Sequence, residues 1–99
     1  MTSDDSETSA SIVFEFSRGF RFQWEPAQQA YVLLYPEGMI ALNDTAAEIL
    51  KRVNGVASVS TIAHALQNEF QAEDLLGDVK TFLEEAHERR WIQVAVCKN

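Results

Sequence analysis

One cysteine, two prolines, four glycines and no long apolar run set the first limits on this 99-residue chain. Cys97 stands alone and cannot close an internal disulfide, so the fold must rest on packing, which suits a reducing cytoplasm. Nowhere do eighteen apolar residues follow one another, so no segment reads as a membrane-spanning helix. The scattered glycines form no phosphate-cradling loop. Bases are scarce too: 8 Lys+Arg stand against 15 Asp+Glu, a net charge of −7. Such a chain is repelled by nucleic-acid phosphates and by anionic membranes, so neither is an expected partner. The 46% hydrophobic content suffices for one modest core, and the length leaves little room for a second domain or a large buried cavity.

Residues 1–11, MTSDDSETSAS, carry Asp4, Asp5 and Glu7 and no large apolar side chain beyond Met1. They lack the basic start and apolar stretch of a signal peptide. They also offer too little surface for burial to offset ordering entropy, so a disordered acidic tail is expected, followed by a single domain over 12–99.

The domain begins with extended patterns. Ile12, Phe14 and Phe16 alternate with Val13, Glu15 and Ser17, a short run that either docks or stays mobile. Phe20, Phe22 and Trp24 alternate with Arg21, Gln23 and Glu25, the period of a half-buried strand. Pro26 interrupts it, Tyr31 to Tyr35 reads as a returning strand, and Pro36-Glu37-Gly38 is a turn before a short third strand, Met39 to Leu42. Asn43 or Asp44 then caps a helix over Thr45 to Val53, ended by Asn54-Gly55. Ser58 or Ser60 caps a second helix with Val59, Ile62, Ala63, Leu66 and Phe70 at helical spacing. A third is expected over Glu73 to Arg90, with the stripe Leu75, Leu76, Val79, Phe82, Leu83 and Ala86. Gly77 inside it reads either as a close backbone approach or as a solvent-facing position. Trp91 to Val96 is a terminal extended segment. The predicted order is βββααα with a short β end: an α+β fold, a three-stranded antiparallel sheet followed by three helices, winged-helix-like.

Chemistry-bearing patterns are thin. Glu84 and His87 form one Glu-x-x-His unit, whereas carboxylate-bridged metal bundles use two. One Cys and two His, His64 and His87, do not supply a zinc set, so no metal is expected. Cys97 lies two residues from the end, a poor place for a held nucleophile. Adjacent Glu84 and Glu85 diverge by about 100° on a helix and make no facing pair. The residues therefore point to a protein that is not an enzyme and needs no cofactor. The third helix holds six acids and three bases, a poor DNA reader.

A binding surface remains. Met39 to Leu42 carries no charge, Pro or Gly, and a charge or Pro is what normally guards an edge strand. If it lies at the sheet edge it is a template for an added strand. The other reading is that Ile12–Phe16, the C-terminal segment or a second subunit covers it. About four backbone bonds at roughly 1 kcal/mol net each fall short of the ~8 kcal/mol of micromolar binding, so side-chain pockets must add to them.

At Trp24-Glu25-Pro26 and along VLLYPEGMIALN (Val32 to Asn43) the chain resembles the PqqD family of pyrroloquinoline quinone (PQQ) biosynthesis. The likeness runs from Arg18-Gly19 to Trp91-Ile92. It takes in Ala47, Ile49-Leu50, Asn54-Gly55, Ile62, Leu66, Phe70, Asp78-Val79 and Phe82-Leu83. Two departures stand out: Asn54 where Asp is commoner, and Arg90 where Gly often precedes the Trp, so that the last helix is open to a different ending. The resemblance implies a non-catalytic peptide chaperone with a βββααα fold, a recognition element for ribosomally made peptides. It implies binding of the precursor peptide PqqA and its presentation to the radical S-adenosylmethionine (SAM) enzyme PqqE, which cross-links a Glu and a Tyr of the peptide. The peptide would add as a strand beside Met39, Ile40, Ala41 and Leu42, and pack on the third helix through residues drawn from Leu75, Leu76, Val79, Phe82 and Leu83. An acidic winged-helix regulatory or protein–protein interaction module is the alternative. An open edge also permits a homodimer, including a strand-swapped one.

Overall fold

The computed structural model of the chain describes residues 10–95. Its elements are β1 (Phe14–Phe16), β2 (Arg21–Glu25), β3 (Ala30–Tyr35), β4 (Gly38–Ala41), α1 (Asp44–Leu50), α2 (Val59–Phe70), α3 (Leu76–Glu88) and β5 (Ile92–Val94). The α+β order read from the sequence is the observed one: β2, β3 and β4 form an antiparallel three-stranded sheet in that order, and three helices follow. Of the expected disordered tail, residues 1–9 lie outside the described residues, as does Cys97, while Ala10 and Ser11 are helical.

The short run Phe14–Phe16 docks. It pairs antiparallel with β5, placing Phe14 opposite Val94 and Phe16 opposite Ile92 in a separate two-stranded sheet. Its other side is tied down by the bonds from Gly55 N–H to the Phe14 carbonyl and from Val59 N–H to the Ile12 carbonyl. Gly55 takes φ +81°, a conformation that a side chain would strain, so it can close this turn. Phe16 stacks on Phe22 at 6.1 Å and Phe22 on Tyr31 at 4.8 Å, so an aromatic row joins the two sheets.

The helices differ from the sequence reading mostly at their ends. Asn43 is the cap of α1, its side-chain oxygen accepting from Ala46 N–H at 2.8 Å. The α1 helix stops at Leu50, before the expected Val53, because Arg52 and Val53 bond three residues back and tighten the last turn. Asn54 then accepts from Val56 and Ala57 N–H, making a turn of its own. Ser58 caps α2 through Thr61 N–H. Glu73 does not open α3: Asp74 has φ +60°, and Gln67 Oε1 takes the Leu75 N–H at 2.9 Å. A Cβ built on Gly77 would meet nothing within 4 Å, so the solvent-facing reading of that glycine holds.

Two helix ends share one device. At the end of α3, Arg90 adopts φ +69°, Trp91 N–H bonds the Ala86 carbonyl and Arg90 N–H bonds that of His87. This is the paired bonding that closes a helix through a left-handed residue. Arg90 thus takes the conformation that Gly would favour, and its presence does not open the helix end. Gln71 is likewise left-handed after α2, with φ +54°, and there its own N–H and that of Ala72 both bond the Gln67 carbonyl.

The core joins the sheet, the three helices and both strands of the small sheet: Leu33, Leu42, Ile49, Leu50, Ile62, Leu66, Val79, Leu83 and Ile92 are all buried. Arg52 clips α1 to α2, reaching Glu48 at 3.0 Å and Glu69 at 2.8 Å.

Candidate functional site

The register makes β4 an edge strand. Leu33 lies opposite Ile40 and Leu34 opposite Met39, and among the described residues no strand pairs with the far side of β4. One bond sets the phase of the ladder: Leu42 N–H donates to the Tyr31 carbonyl at 3.0 Å. Bonded and non-bonded pairs alternate along an antiparallel pair. Leu33 and Ile40 are therefore also a bonded pair, and the N–H and C=O of Met39 and Ala41 point away from β3.

This alternation divides the four strand residues. Met39, 42% exposed, and exposed Ala41 present backbone groups to the open edge. Ile40 and Leu42 spend theirs on β3; Leu42 is buried in the core and Ile40 packs against it. A partner strand would thus find two donors and two acceptors on Met39 and Ala41, with the inward bonds of Ile40 and Leu42 holding the template straight.

The third-helix residues divide as well. Val79 and Leu83 are 2% and 0% exposed. They are core residues and support the helix from behind. Leu75, Leu76 and Phe82 are half-buried at the margin of the core. Leu75 and Phe82, seven residues apart, share one flank with Asp78, whereas Leu76 lies about 100° round the helix. The hydrophobic stripe alone did not separate these sets.

An apolar cleft of about 420 Å³ lies between the helices, walled by Ile49, Leu66, Phe70, Leu75 and Val79. Its rim includes Asp44 and Thr45, which begin α1 directly after the strand and its cap. Sequence reasoning assigned Phe70 to the stripe of α2. The structure leaves its ring 51% exposed, because α2 ends there and Gln71 turns the chain away. Its only sequence signal is an aromatic at a helix terminus, which is weak.

Among the described residues no group of three or more His, Cys, Asp or Glu side chains is arranged to hold a metal ion. His87 lies with its ring 5.3 Å from that of Phe14, a packing role. Glu48 has a shifted carboxyl: partial burial opposes its charge, but hydrogen bonds and attraction from Arg52 and Lys51 outweigh it and lower its pKa from the ordinary 4.5. No described helix is long and apolar enough to cross a membrane.

The model of the family described as "Coenzyme PQQ synthesis protein D (PqqD)" matches residues 30–92, from the first residue of β3 to the start of β5. The chain belongs to the PqqD family. A "PqqA binding protein" of Azotobacter vinelandii is 52% identical over 90 residues, covering 90% of this chain and 98% of that protein. One of Acinetobacter baylyi is 49% identical over 78 residues, 78% of this chain and 79% of the relative. The solution structure of the PqqD portion of Methylobacterium extorquens PqqCD, described as a stand-alone recognition element for ribosomally synthesized and post-translationally modified peptides, aligns with a TM-score of 0.71 at 32% identity. That alignment covers 86% of this chain and 93% of the other. The PqqD match thus contains β3, β4 and all three helices, the elements that build the open edge and the cleft.

Proposed function

We propose that this chain is the peptide chaperone of PQQ biosynthesis: it binds the precursor peptide PqqA by strand addition to the outer edge of β4 and presents it to the radical SAM enzyme PqqE for Glu–Tyr cross-linking. The carrying observation is the edge of β4, unpaired among the described residues, where Met39 and Ala41 turn their backbone groups outward; an apolar cleft opens between the helices that follow the strand. PqqA binding is the role named for its relatives, and a recognition element is the description of the structural neighbour. The peptide-contacting set is the strand Met39, Ile40, Ala41 and Leu42 with Leu75, Leu76 and Phe82, while Val79 and Leu83 set the wall's shape. The role is non-catalytic, and its setting is the cytoplasm.

Backbone bonds from two residues give specificity of position but little of sequence, and the apolar wall supplies the remaining affinity. A second copy of the chain would compete for the same edge, so a β4-paired homodimer and peptide binding exclude each other. Titrating PqqA into isotopically labelled protein tests the reading: amides of 39–42 and of the first two turns of α3 should shift, and any concentration-dependent dimer should dissociate. Shifts confined to other elements would overturn it. For presentation, PqqE cross-linking of PqqA should depend on this chain and should fail with a β4 variant that no longer binds the peptide.

A further inference from the structure

We propose that the cleft beyond the end of β4 is a side-chain pocket for an apolar residue of the bound peptide that has a Lys or Arg beside it. This rests on the strand-addition reading and adds a chemical preference to it. Asp44 and Thr45, which open α1 just after β4 ends at Ala41, line the cleft, so it is the apolar opening next in the chain to the edge, within reach of a peptide continued past Leu42. Its volume, about 420 Å³, is that of a small-ligand site, and its walls are aliphatic and aromatic. Phe70 stands at that opening half in solvent, an apolar surface that an incoming side chain would cover.

The charge around the opening has one sign. Asp44, Glu48 and Asp78 line it, and among the described residues no Lys or Arg does. Glu48 is held by Lys51 and Arg52. Asp44 and Asp78 have no hydrogen bond or ion pair among the described residues. Each lies in the first turn of its helix, where an acid complements the helix dipole. That explains each acid singly. It does not explain why two helices bring unpaired carboxylates to one apolar opening, which disfavours an acidic neighbour and favours a cationic one.

The test uses PqqA and single-residue variants of it, each replacing one apolar residue with Ala or one Lys or Arg with Gln. Binding is followed by calorimetry and by amide shifts, with thermal melts checking the fold of every protein variant. Phe70→Ala should weaken the parent peptide about tenfold. Asp44→Asn with Asp78→Asn should weaken it about threefold, as expected of exposed ion pairs. One cation-to-Gln peptide should lose about threefold against the native chain and nothing further against the double Asn variant. Equal losses against both proteins, or no sensitive cationic position, would overturn the charge preference. Unchanged affinity in Phe70→Ala, with Met39 and Ala41 amides still shifting, would overturn the pocket and leave strand addition standing. Shifts at Phe70 and Asp78 without any at Met39 and Ala41 would instead refute strand addition.

Discussion

The two edges of the three-stranded sheet are built differently. By the ladder's alternation, β2 turns the backbone groups of Phe22 and Trp24 outward, as β4 does those of Met39 and Ala41. On β2 those groups are flanked by Arg21 and Glu25, with Pro26 next in the chain, and β1 lies close enough for Phe16 to stack on Phe22. On β4 the strand is Gly-Met-Ile-Ala, with no charge in it. Charges and Pro are the usual guards against stray pairing. Among the described residues the sheet is thus guarded on one side and open on the other. An unguarded edge is tolerable on a short strand: two outward residues are too few for stable self-pairing, yet enough to orient a partner that also fills a pocket.

The largest expected effect comes from Pro at the open edge. Ala41→Pro removes an outward donor without touching an inward bond, and should weaken PqqA binding at least about tenfold with little loss of stability. Ile40→Pro removes a bond to β3 and should instead destabilise the hairpin, seen as a lower Tm in thermal melts. Trp24→Pro, on the guarded edge, should leave PqqA affinity within about twofold; a loss equal to that of Ala41→Pro would break the contrast between edges. Next, exchanging the guards should move the behaviour: Met39→Lys should lower peptide affinity several-fold, and Arg21→Val with Glu25→Val should promote concentration-dependent association by light scattering. A control away from both edges separates stability from binding. Arg90→Gly relieves a left-handed Arg and should raise Tm by a few degrees, from about 0.5–1 kcal/mol, with peptide affinity unchanged. The smallest effect is the acid dependence of the α1–α2 clip. The folded pKa of Glu48 is lowered, so its stabilisation is present above pH 4.5 and is lost as pH falls below that value. Glu48→Gln should flatten that acid limb slightly in melts between pH 3 and 6.

Strand order, helix number and the third strand were readable because each depends on local pattern: alternation at Phe20–Trp24, turn residues at Pro36-Glu37-Gly38, caps at Asn43 and Ser58; that no other described segment covers this strand was not. The partner of Phe14–Phe16 was not, since pairing with β5 is set by tertiary contact across most of the chain. Nor was the start of α3: Asp74 and Glu73 look like helix-opening acids, but Gln67 of α2 takes the first N–H and moves the boundary to Leu76. The stripe of α3 showed six apolar positions without saying that Val79, Leu83 and Ala86 fill the core while Leu75, Leu76 and Phe82 stand at its margin. That division depends on where α1 and α2 lie, which periodicity does not carry.

The central claim, that the outward groups of Met39 and Ala41 take the peptide, has a direct readout in amide hydrogen exchange with and without PqqA. Ile40 and Leu42 are already bonded to β3 and should change little, whereas Met39 and Ala41 should gain protection on binding, an alternation along four successive residues. Protection appearing instead at Phe22 and Trp24, or rising uniformly across residues 39–42, would contradict it.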